Sequence, residues 1–392
     1  MIDQRLNMRY REDKDLEVSE IGMGCYALGG SYGSVDKKEY KSVLKSAYEH
    51  GINLFDTAAT YGEEAEKILG DVIRPNREEV VVSTKIGAGE DGDPSLAYSD
   101  VKNQCENSLD RLDIDRIDIY LVHFDDPETP IEETVEALDD LKDEEKLKHY
   151  GVSHLPVERI KEYFKKGDVS FCLLELSPVA RQGRNELLPL CENNDAKAIA
   201  FSVTGRGILT GNIDEDTEFE PNDIRRMDPL FKKERLRSAL RITEELNEIG
   251  EEYDKSSVQV AINWVLSQRN VISALTGTSS QRHLLENIGA SGWELKKKDE
   301  ERIDNLLDRE EEILDEKEPE ILKEILEEQL AKNQSKNFGD LVYVMEVAIE
   351  RGIAKQKEIL PHYRELLASK KKGALEYDRL EDIRKELKDL ML

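Results

Sequence analysis

The chain has 392 residues, a formal net charge of −29 and a sequence pI of about 4.7. This length is enough for one large α/β domain with an appendage. A surface this acidic would repel a polyanion, which excludes most nucleic-acid-binding functions. No apolar run approaches the roughly 18 residues that span a bilayer, and the N-terminal MIDQRLNMRYRED lacks the apolar core of a signal peptide. We therefore expect a cytoplasmic protein with no membrane partner.

The acidity has two interpretations, a highly soluble protein or one adapted to high salt, and the plentiful lysines leave both open. The cysteines are scattered singly, and none belongs to a CxxC motif; they are Cys25, Cys105, Cys172 and Cys191. This pattern is typical of reduced thiols in a cytosolic protein, and it predicts no zinc, iron–sulfur or other metal site.

Strand-like and helix-like segments alternate along most of the chain. After a polar hairpin at 8–20, we predict strands at 21–24, 52–55, 80–83, 117–121, 148–152, 169–174, 197–201 and 271–275. Helical spacing predicts helices at 37–50, 63–73, 99–112 (with Ser99 as the N-cap), 131–142, 157–165, 186–193, 231–253, 257–267 and 281–288. Eight nearly continuous apolar strands alternating with helices favour an α/β fold, the closed (β/α)8 TIM barrel, over a doubly wound sheet.

After about residue 294 the composition changes to highly charged helical segments, predicted at 300–328, 338–348, 355–368 and 377–390. We predict a barrel over residues 1–311 and a charged α-helical extension over residues 312–392. The expected core of this extension is Leu341, Val342, Val344, Met345, Ala348 and Ile349. The extension could mediate oligomerisation or bind a protein partner.

Reactive side chains follow three of the predicted strands. Asp56 ends the second strand in GINLFDTAATYG, with Tyr61 in the next turn, while Lys85 and His123 end the third and fourth. The active sites of parallel barrels are built from such strand ends. These four side chains form a coherent acid–base set with Tyr61 as the candidate acid, but a free tyrosine, with a pKa of about 10, is a poor proton donor at neutral pH. Lys85 would lower the pKa of Tyr61, Asp56 would balance Lys85, and His123 would assist proton movement.

The segments FDTAATYG, STK and SLDRLDIDRIDIYLVHFDDP resemble the aldo-keto reductase superfamily, and the resemblance extends from about Met8 to Ala290. It implies an oxidoreductase that uses NAD(P)H to reduce aldehydes or ketones to alcohols by hydride transfer. It also implies the same catalytic set, Asp56, Tyr61, Lys85 and His123, with Tyr61 as the general acid and His123 orienting the substrate carbonyl.

No GxGxxG follows a strand, so a Rossmann site is not indicated. The resemblance instead implies a nicotinamide cofactor extended across the barrel mouth. Its expected contacts are Ser153, His154, Phe201, Ser202, Gly205, Arg206, Gly207, Leu209, Thr278, Ser279, Ser280, Arg282, Glu286 and Asn287. Phe201 matches the aromatic ring that stacks on nicotinamide, residues 205–209 match the pyrophosphate loop, and residues 278–287 match the adenosine end.

Three positions depart from the family pattern. His154 stands where asparagine is usual, and Leu173 stands where a glutamine usually binds the nicotinamide carboxamide. His283 stands where an arginine often faces the 2′-phosphate, although Arg282 is adjacent. We expect NADPH because Arg282 can supply the cation, and NADH remains possible.

Two other classes of function stay open. The chain could be a cofactor-binding sensor that acts through its helical tail, or a scaffold barrel. The substrate would be chosen by Ala27–Val35, Phe124–Thr129 and the segment around Thr217–Arg226, whose sequences do not identify it.

Overall fold

A computed structural model describes residues 8–62, 64–87, 95–153, 155–220, 223–331, 338–351, 353, 358–359, 361–363, 365–366 and 377–391. The chain divides into two compact units. The first comprises Met1–Asn212 and Thr243–Glu300, and the second comprises Ile213–Ile242 and Glu301–Leu392. The proposed extension over 312–392 therefore shares its unit with a segment that precedes it in the chain by about a hundred residues.

The first unit contains the predicted hairpin and the predicted barrel. Strands β1 and β2 pair antiparallel, and β3–β10 form a closed parallel barrel in the order β10-β3-β4-β5-β6-β7-β8-β9. The strands are β1 Tyr10–Asp13, β2 Leu16–Ser19, β3 Ile21–Gly24, β4 Leu54–Asp56, β5 Val81–Ile86, β6 Ile117–Val122, β7 Leu147–Ser153, β8 Val169–Glu175, β9 Lys197–Phe201 and β10 Val271–Thr276. The closed barrel is confirmed, and the doubly wound alternative is wrong because β10 pairs with both β3 and β9.

Helices connect successive barrel strands. They are α1 Lys37–Glu49, α2 Ala65–Ile73, α3 Tyr98–Leu112, α4 Ile131–Asp143, α5 Val157–Lys166, α6 Leu188–Asn193, α7 Lys233–Glu251, α8 Ser257–Ser267 and α9 Gln281–Ile288. The prediction that Ser99 caps α3 was wrong, since the helix begins at Tyr98 and its N-cap is Ala97. Alanine has no side-chain oxygen to cap a helix, and Ala97 makes no side-chain capping hydrogen bond. The sequence therefore contains no capping residue that would mark where this helix begins.

Two apolar layers hold the barrel together. Inside it, side chains from the strands pack on Leu16 and Val18 of the hairpin; they are Leu54, Val81, Ile119, Leu121, Phe171, Leu173, Ile199, Ile272 and Leu275. Outside it, the alternate residues of the central strands pack under α3, α4 and α5. With both faces of each strand buried, the rigid sheet fixes where each strand end delivers its side chain.

The second unit contains the long charged helix α10 (Lys297–Ala331, in part), with α11 (Phe338–Glu350) and α12 (Tyr377–Met391). Of the predicted core of the extension, all but Ile349 are fully buried, and Ile349 packs against the same cluster. Much of the helix predicted at 355–368 lies outside the described residues.

Ion pairs with buried carboxylates also join the segments of this second unit. Glu318, with no exposed side-chain surface, pairs with Arg235 and with Arg351, whose Nε lies 3.0 Å from Glu318 Oε2. Arg241 Nη2 lies 2.6 Å from Glu310 Oε2. These pairs connect residues far apart in sequence. No helix in the described part of either unit is both long and apolar enough to cross a bilayer.

Candidate active site

A buried ion pair lies at the carboxyl ends of β4 and β5. Lys85 Nζ donates to both carboxylate oxygens of Asp56, at 2.6 and 2.8 Å, and to the carbonyl oxygen of Thr57 at 2.7 Å. Ser83 Oγ donates to Asp56 Oδ2 at 2.9 Å. Burial disfavours the charge on Lys85, but Asp56 and Tyr61 outweigh it and raise the pKa of Lys85. Lys85 is therefore a fixed ammonium ion at neutral pH.

Tyr61 lies beside this pair, with Lys85 Nζ 4.7 Å from the centroid of its ring. A Cβ on Gly29 would approach the carbonyl oxygen of Tyr61 to 3.1 Å, so the bare Gly29 backbone allows the tyrosine turn to pack closely. Burial raises the pKa of Tyr61 to about 12, although the Lys85 ammonium lowers it. The expected lowering is present as one contribution, but desolvation of the phenolate outweighs it.

His123 immediately follows β6, and its backbone N–H donates to the carbonyl oxygen of Ile86 at 2.8 Å. Its ring centroid lies 5.9 Å from that of Tyr61, in an edge arrangement. The structure thus places the carboxylate, the ammonium, the phenol and the imidazole of the predicted catalytic set at one rim of the barrel.

Further aromatic rings extend this set into a continuous row. Tyr26 packs edge-on against Tyr61 at 5.1 Å and against Tyr32 at 5.8 Å, and Phe124 lies 4.3 Å from His123, centroid to centroid. Tyr26 is 37% exposed and Phe124 is 41% exposed. Tyr32 and Phe124 belong to the predicted substrate loops at 27–35 and 124–129, and Tyr26 directly precedes the first of them. Aromatic rings therefore lie next to Tyr61 and His123, although these loop sequences are largely polar.

The residues expected to contact nicotinamide lie at the ends of β7, β8 and β9. Ser153 ends β7, is buried and pairs in register with Leu173 of β8. Leu173 belongs to the apolar interior of the barrel, so this position offers no hydrogen bond to an amide. Phe201 ends β9 in register with Glu175, half-buried above the interior cluster. His154 lies outside the described residues.

The segment after β9 is a tight turn with an unusual backbone. Ser202, Gly205, Arg206 and Gly207 all have positive φ, between 52° and 95°. A Cβ on Gly205 would lie 2.7 Å from Cγ2 of Val179, so a side chain there is excluded.

Three of the five amides expected to face pyrophosphate are used inside this turn. The N–H groups of Gly205, Gly207 and Leu209 donate to the carbonyl oxygens of Ser202 or Thr204. Leu209 itself is buried, and its carbonyl oxygen accepts from Ser257 Oγ. These residues therefore hold the shape of the turn, while the guanidinium of Arg206 supplies a cation near its start.

The expected adenosine end surrounds the start of α9. Ser280 is its N-cap, and Thr278 Oγ1 accepts from the N–H of Ser280 at 3.0 Å. Arg282 Nη2 lies 2.8 Å from His283 Nε2, so the Arg282 guanidinium lies directly beside the His283 ring. Asn287 is buried, Glu286 is held through its carbonyl oxygen by Gln259, and Ser279 lies in the loop before the helix.

The sequence reasoning missed Ser83, Tyr26 and Glu175. Ser83 could have been found, because it lies two residues before Lys85 and a strand presents alternate residues on one face. Tyr26 gave no local signal, since only the fold brings its loop against Tyr61.

The chain was compared with known proteins. Residues 20–308 match the model of the aldo/keto reductase family. The chain belongs to this family. The aldo-keto reductase YhdN of Bacillus subtilis is 31% identical over 304 residues, which cover 76% of this chain and 92% of that protein. An NADH-specific methylglyoxal reductase of Escherichia coli is 31% identical over 297 residues, covering 70% of this chain and 90% of that protein.

The structure of a glycerol dehydrogenase from Gluconobacter oxydans superposes with a TM-score of 0.70 at 28% identity, covering 78% of this chain and 96% of that one. The first unit is thus the shared aldo-keto reductase barrel, and the chain is an NAD(P)H-dependent carbonyl reductase. The family match ends at residue 308, before most of the C-terminal helices.

Proposed function

We propose that this aldo-keto reductase reduces aldehydes or ketones to alcohols with Tyr61 as the proton donor. The observation that carries the proposal is the buried Lys85 ammonium, held by Asp56 and lying against Tyr61. As hydride reaches the carbonyl carbon, negative charge develops on the carbonyl oxygen, and the Tyr61 hydroxyl donates its proton there. The adjacent ammonium stabilises the resulting tyrosinate, and His123 orients the carbonyl oxygen.

The residues at the barrel mouth fit a dinucleotide, because a half-buried aromatic ring, a turn glycine with no room for a side chain and a basic residue follow one another from the end of β9 onward. The cofactor supplies the hydride. Phe201 would stack on the nicotinamide ring and Ser153 would bind its carboxamide, while Leu173 removes one expected hydrogen bond. Arg206 would face the pyrophosphate, and residues 278–287 would hold the adenosine.

The preferred cofactor in this proposal is NADPH. Arg282 and His283 form a cationic position at the start of a helix, where a phosphate is also favoured by the helix dipole. The E. coli relative named NADH-specific shows that proteins of this similarity also include NADH enzymes. Quenching of tryptophan fluorescence measures the dissociation constants of NADPH and NADH for the wild type and for Arg282→Gln. These constants decide between NADPH and NADH as the preferred cofactor.

The substrate in this proposal carries an apolar or aryl group beside its carbonyl. The row of rings from Tyr32 to Phe124 offers apolar surface next to Tyr61 and His123, and aromatic groups of a substrate pack well on such rings.

The decisive experiment follows oxidation of NADPH and of NADH at 340 nm with 4-nitrobenzaldehyde. The wild type is expected to turn over, and Tyr61→Phe to bind cofactor normally with kcat lower by about 10²–10⁴-fold. Undiminished turnover in Tyr61→Phe would remove Tyr61 from this role. Cofactor binding without any turnover by the wild type would contradict the proposed reaction.

A further inference from the structure

Glu175 is a carboxylate at the barrel mouth that the reaction does not use. It ends β8 directly beside Phe201 of β9, and its side chain is 21% exposed. It lies two residues after Leu173, so the two side chains share one face of the strand. The strand therefore delivers a negative charge beside the residues expected to contact nicotinamide and next to the turn expected to face the pyrophosphate.

The partner of Glu175 is the basic residue of the turn after β9. Arg206 Nη2 lies 2.9 Å from Glu175 Oε1, which is within ion-pair range. Within the described part of the chain, however, Oε1 accepts no hydrogen bond of normal geometry. Two opposite charges are thus held close together without the aligned, bidentate contact that gives an arginine–carboxylate pair its strength.

We propose that Glu175 occupies Arg206 before the cofactor binds, and that the pyrophosphate of the cofactor displaces it. This inference rests on the proposed function of the site. The carboxylate and the pyrophosphate compete for one guanidinium, so Glu175 weakens cofactor binding and speeds cofactor release. Glu175 therefore sets the rate at which the cofactor leaves the site, and release steps limit turnover in many enzymes.

The competition has a defined electrostatic consequence. When the pyrophosphate takes Arg206, the Glu175 carboxylate loses its ion pair, and this loss opposes cofactor binding. Replacing the carboxylate by an amide of the same shape removes the competitor for Arg206. Partial exposure of both side chains limits the gain in cofactor affinity to about 3- to 10-fold.

The test measures NADPH and NADH binding by fluorescence quenching, and dissociation by stopped flow, for wild type, Glu175→Gln, Arg206→Gln and the double variant. Glu175→Gln is expected to lower Kd and the dissociation rate constant about 3- to 10-fold, more at low salt than at high salt. Arg206→Gln is expected to weaken binding, and adding Glu175→Gln to it is expected to improve binding less than twofold. Glu144→Gln, which removes one negative charge at the loop before β7, is the control and is expected to change neither constant.

Each outcome has a separate meaning. An unchanged Kd in Glu175→Gln, with a wild type that binds cofactor, overturns the competition and leaves the proposed reaction intact. Equal improvement in the presence and absence of Arg206 also overturns it, because the effect would then be general repulsion. A wild type that binds neither cofactor overturns both proposals.

Discussion

Both compact units bury carboxylates against cations, but they use different geometries. In the first unit, one carboxylate pairs with one ammonium, and the Asp56–Lys85 pair lies against the phenol ring of Tyr61. In the second unit, Glu318 is shared between two arginines, and each arginine contacts it from a different segment of the chain. In the proposed reaction the pair at the strand ends acts on the Tyr61 phenol, whereas the pairs of Glu318 connect separate segments of the second unit.

The largest expected effect breaks the first of these pairs. Lys85→Met removes the ammonium that stabilises the tyrosinate, so kcat is expected to fall by about 10²–10⁴-fold while cofactor binding persists. Steady-state kinetics with NADPH and 4-nitrobenzaldehyde, together with the cofactor Kd, measure this effect. The control is Lys102→Met, which removes a lysine of α3 that pairs with Glu144. A kcat within tenfold of wild type would mean that the buried pair is structural in both units.

The second prediction breaks the pair in the helical unit. Glu318→Leu leaves two partly buried guanidinium groups without their carboxylate, which is expected to lower the free energy of unfolding by about 3–5 kcal/mol. Urea unfolding followed by circular dichroism measures it. Glu365→Leu, which breaks a more exposed pair with Arg379, is expected to cost less than about 1 kcal/mol. Equal losses in both variants would refute the distinction between shared buried pairs and exposed pairs.

The strand ends that carry the Asp56–Lys85 pair of the first unit could be predicted from local sequence. The tips of β4, β5 and β6 could be located because short apolar strands end abruptly in Asp56, Lys85 and His123, and the register of a closed barrel brings such tips together. The net pKa of Tyr61 could not be predicted, because it depends on how deeply the phenol is buried once the Tyr26 loop packs on it.

Which segments of the chain form the second unit could not be predicted from the sequence either. The boundary predicted at residue 311 followed a change in charge pattern, which is local information. The grouping of Ile213–Ile242 with the C-terminal helices depends on pairs such as Arg235–Glu318, in which the partners are 83 residues apart. The role of residues 312–392 stays a prediction, since no local motif in them specifies one.

The two units also differ in exposed apolar surface. Among the described residues, the large apolar side chains that are exposed all lie in the first unit, and two of them, Tyr26 and Phe124, border Tyr61 and His123. Phe124→Ser is expected to lower kcat/KM for 4-nitrobenzaldehyde about tenfold and to change that for glyceraldehyde less than threefold. Tyr10→Ser, at an exposed ring on the hairpin, serves as the control and should leave the ratio unchanged. A parallel loss for both aldehydes would mean that Phe124 supports the fold of the mouth without selecting the substrate.

The smallest expected effect concerns an exposed carboxylate of the first unit. Asp15, in the turn of the hairpin, lies 2.5 Å from His149 Nε2, and hydrogen bonding to His149 lowers the pKa of Asp15. Because the folded-state pKa lies below the unfolded value of about 3.9, the carboxylate stabilises the fold above that pH, and the contribution is lost as the pH falls through the folded-state pKa. Asp15 is 62% exposed, so Asp15→Asn is expected to cost less than about 1 kcal/mol at pH 7. Urea midpoints of both proteins at pH 7, 5 and 3.5 measure the difference, which should shrink only in the most acidic sample. A difference that stays constant down to pH 3.5 would show that Asp15 stabilises the hairpin through its shape and hydrogen bonds and not through its charge.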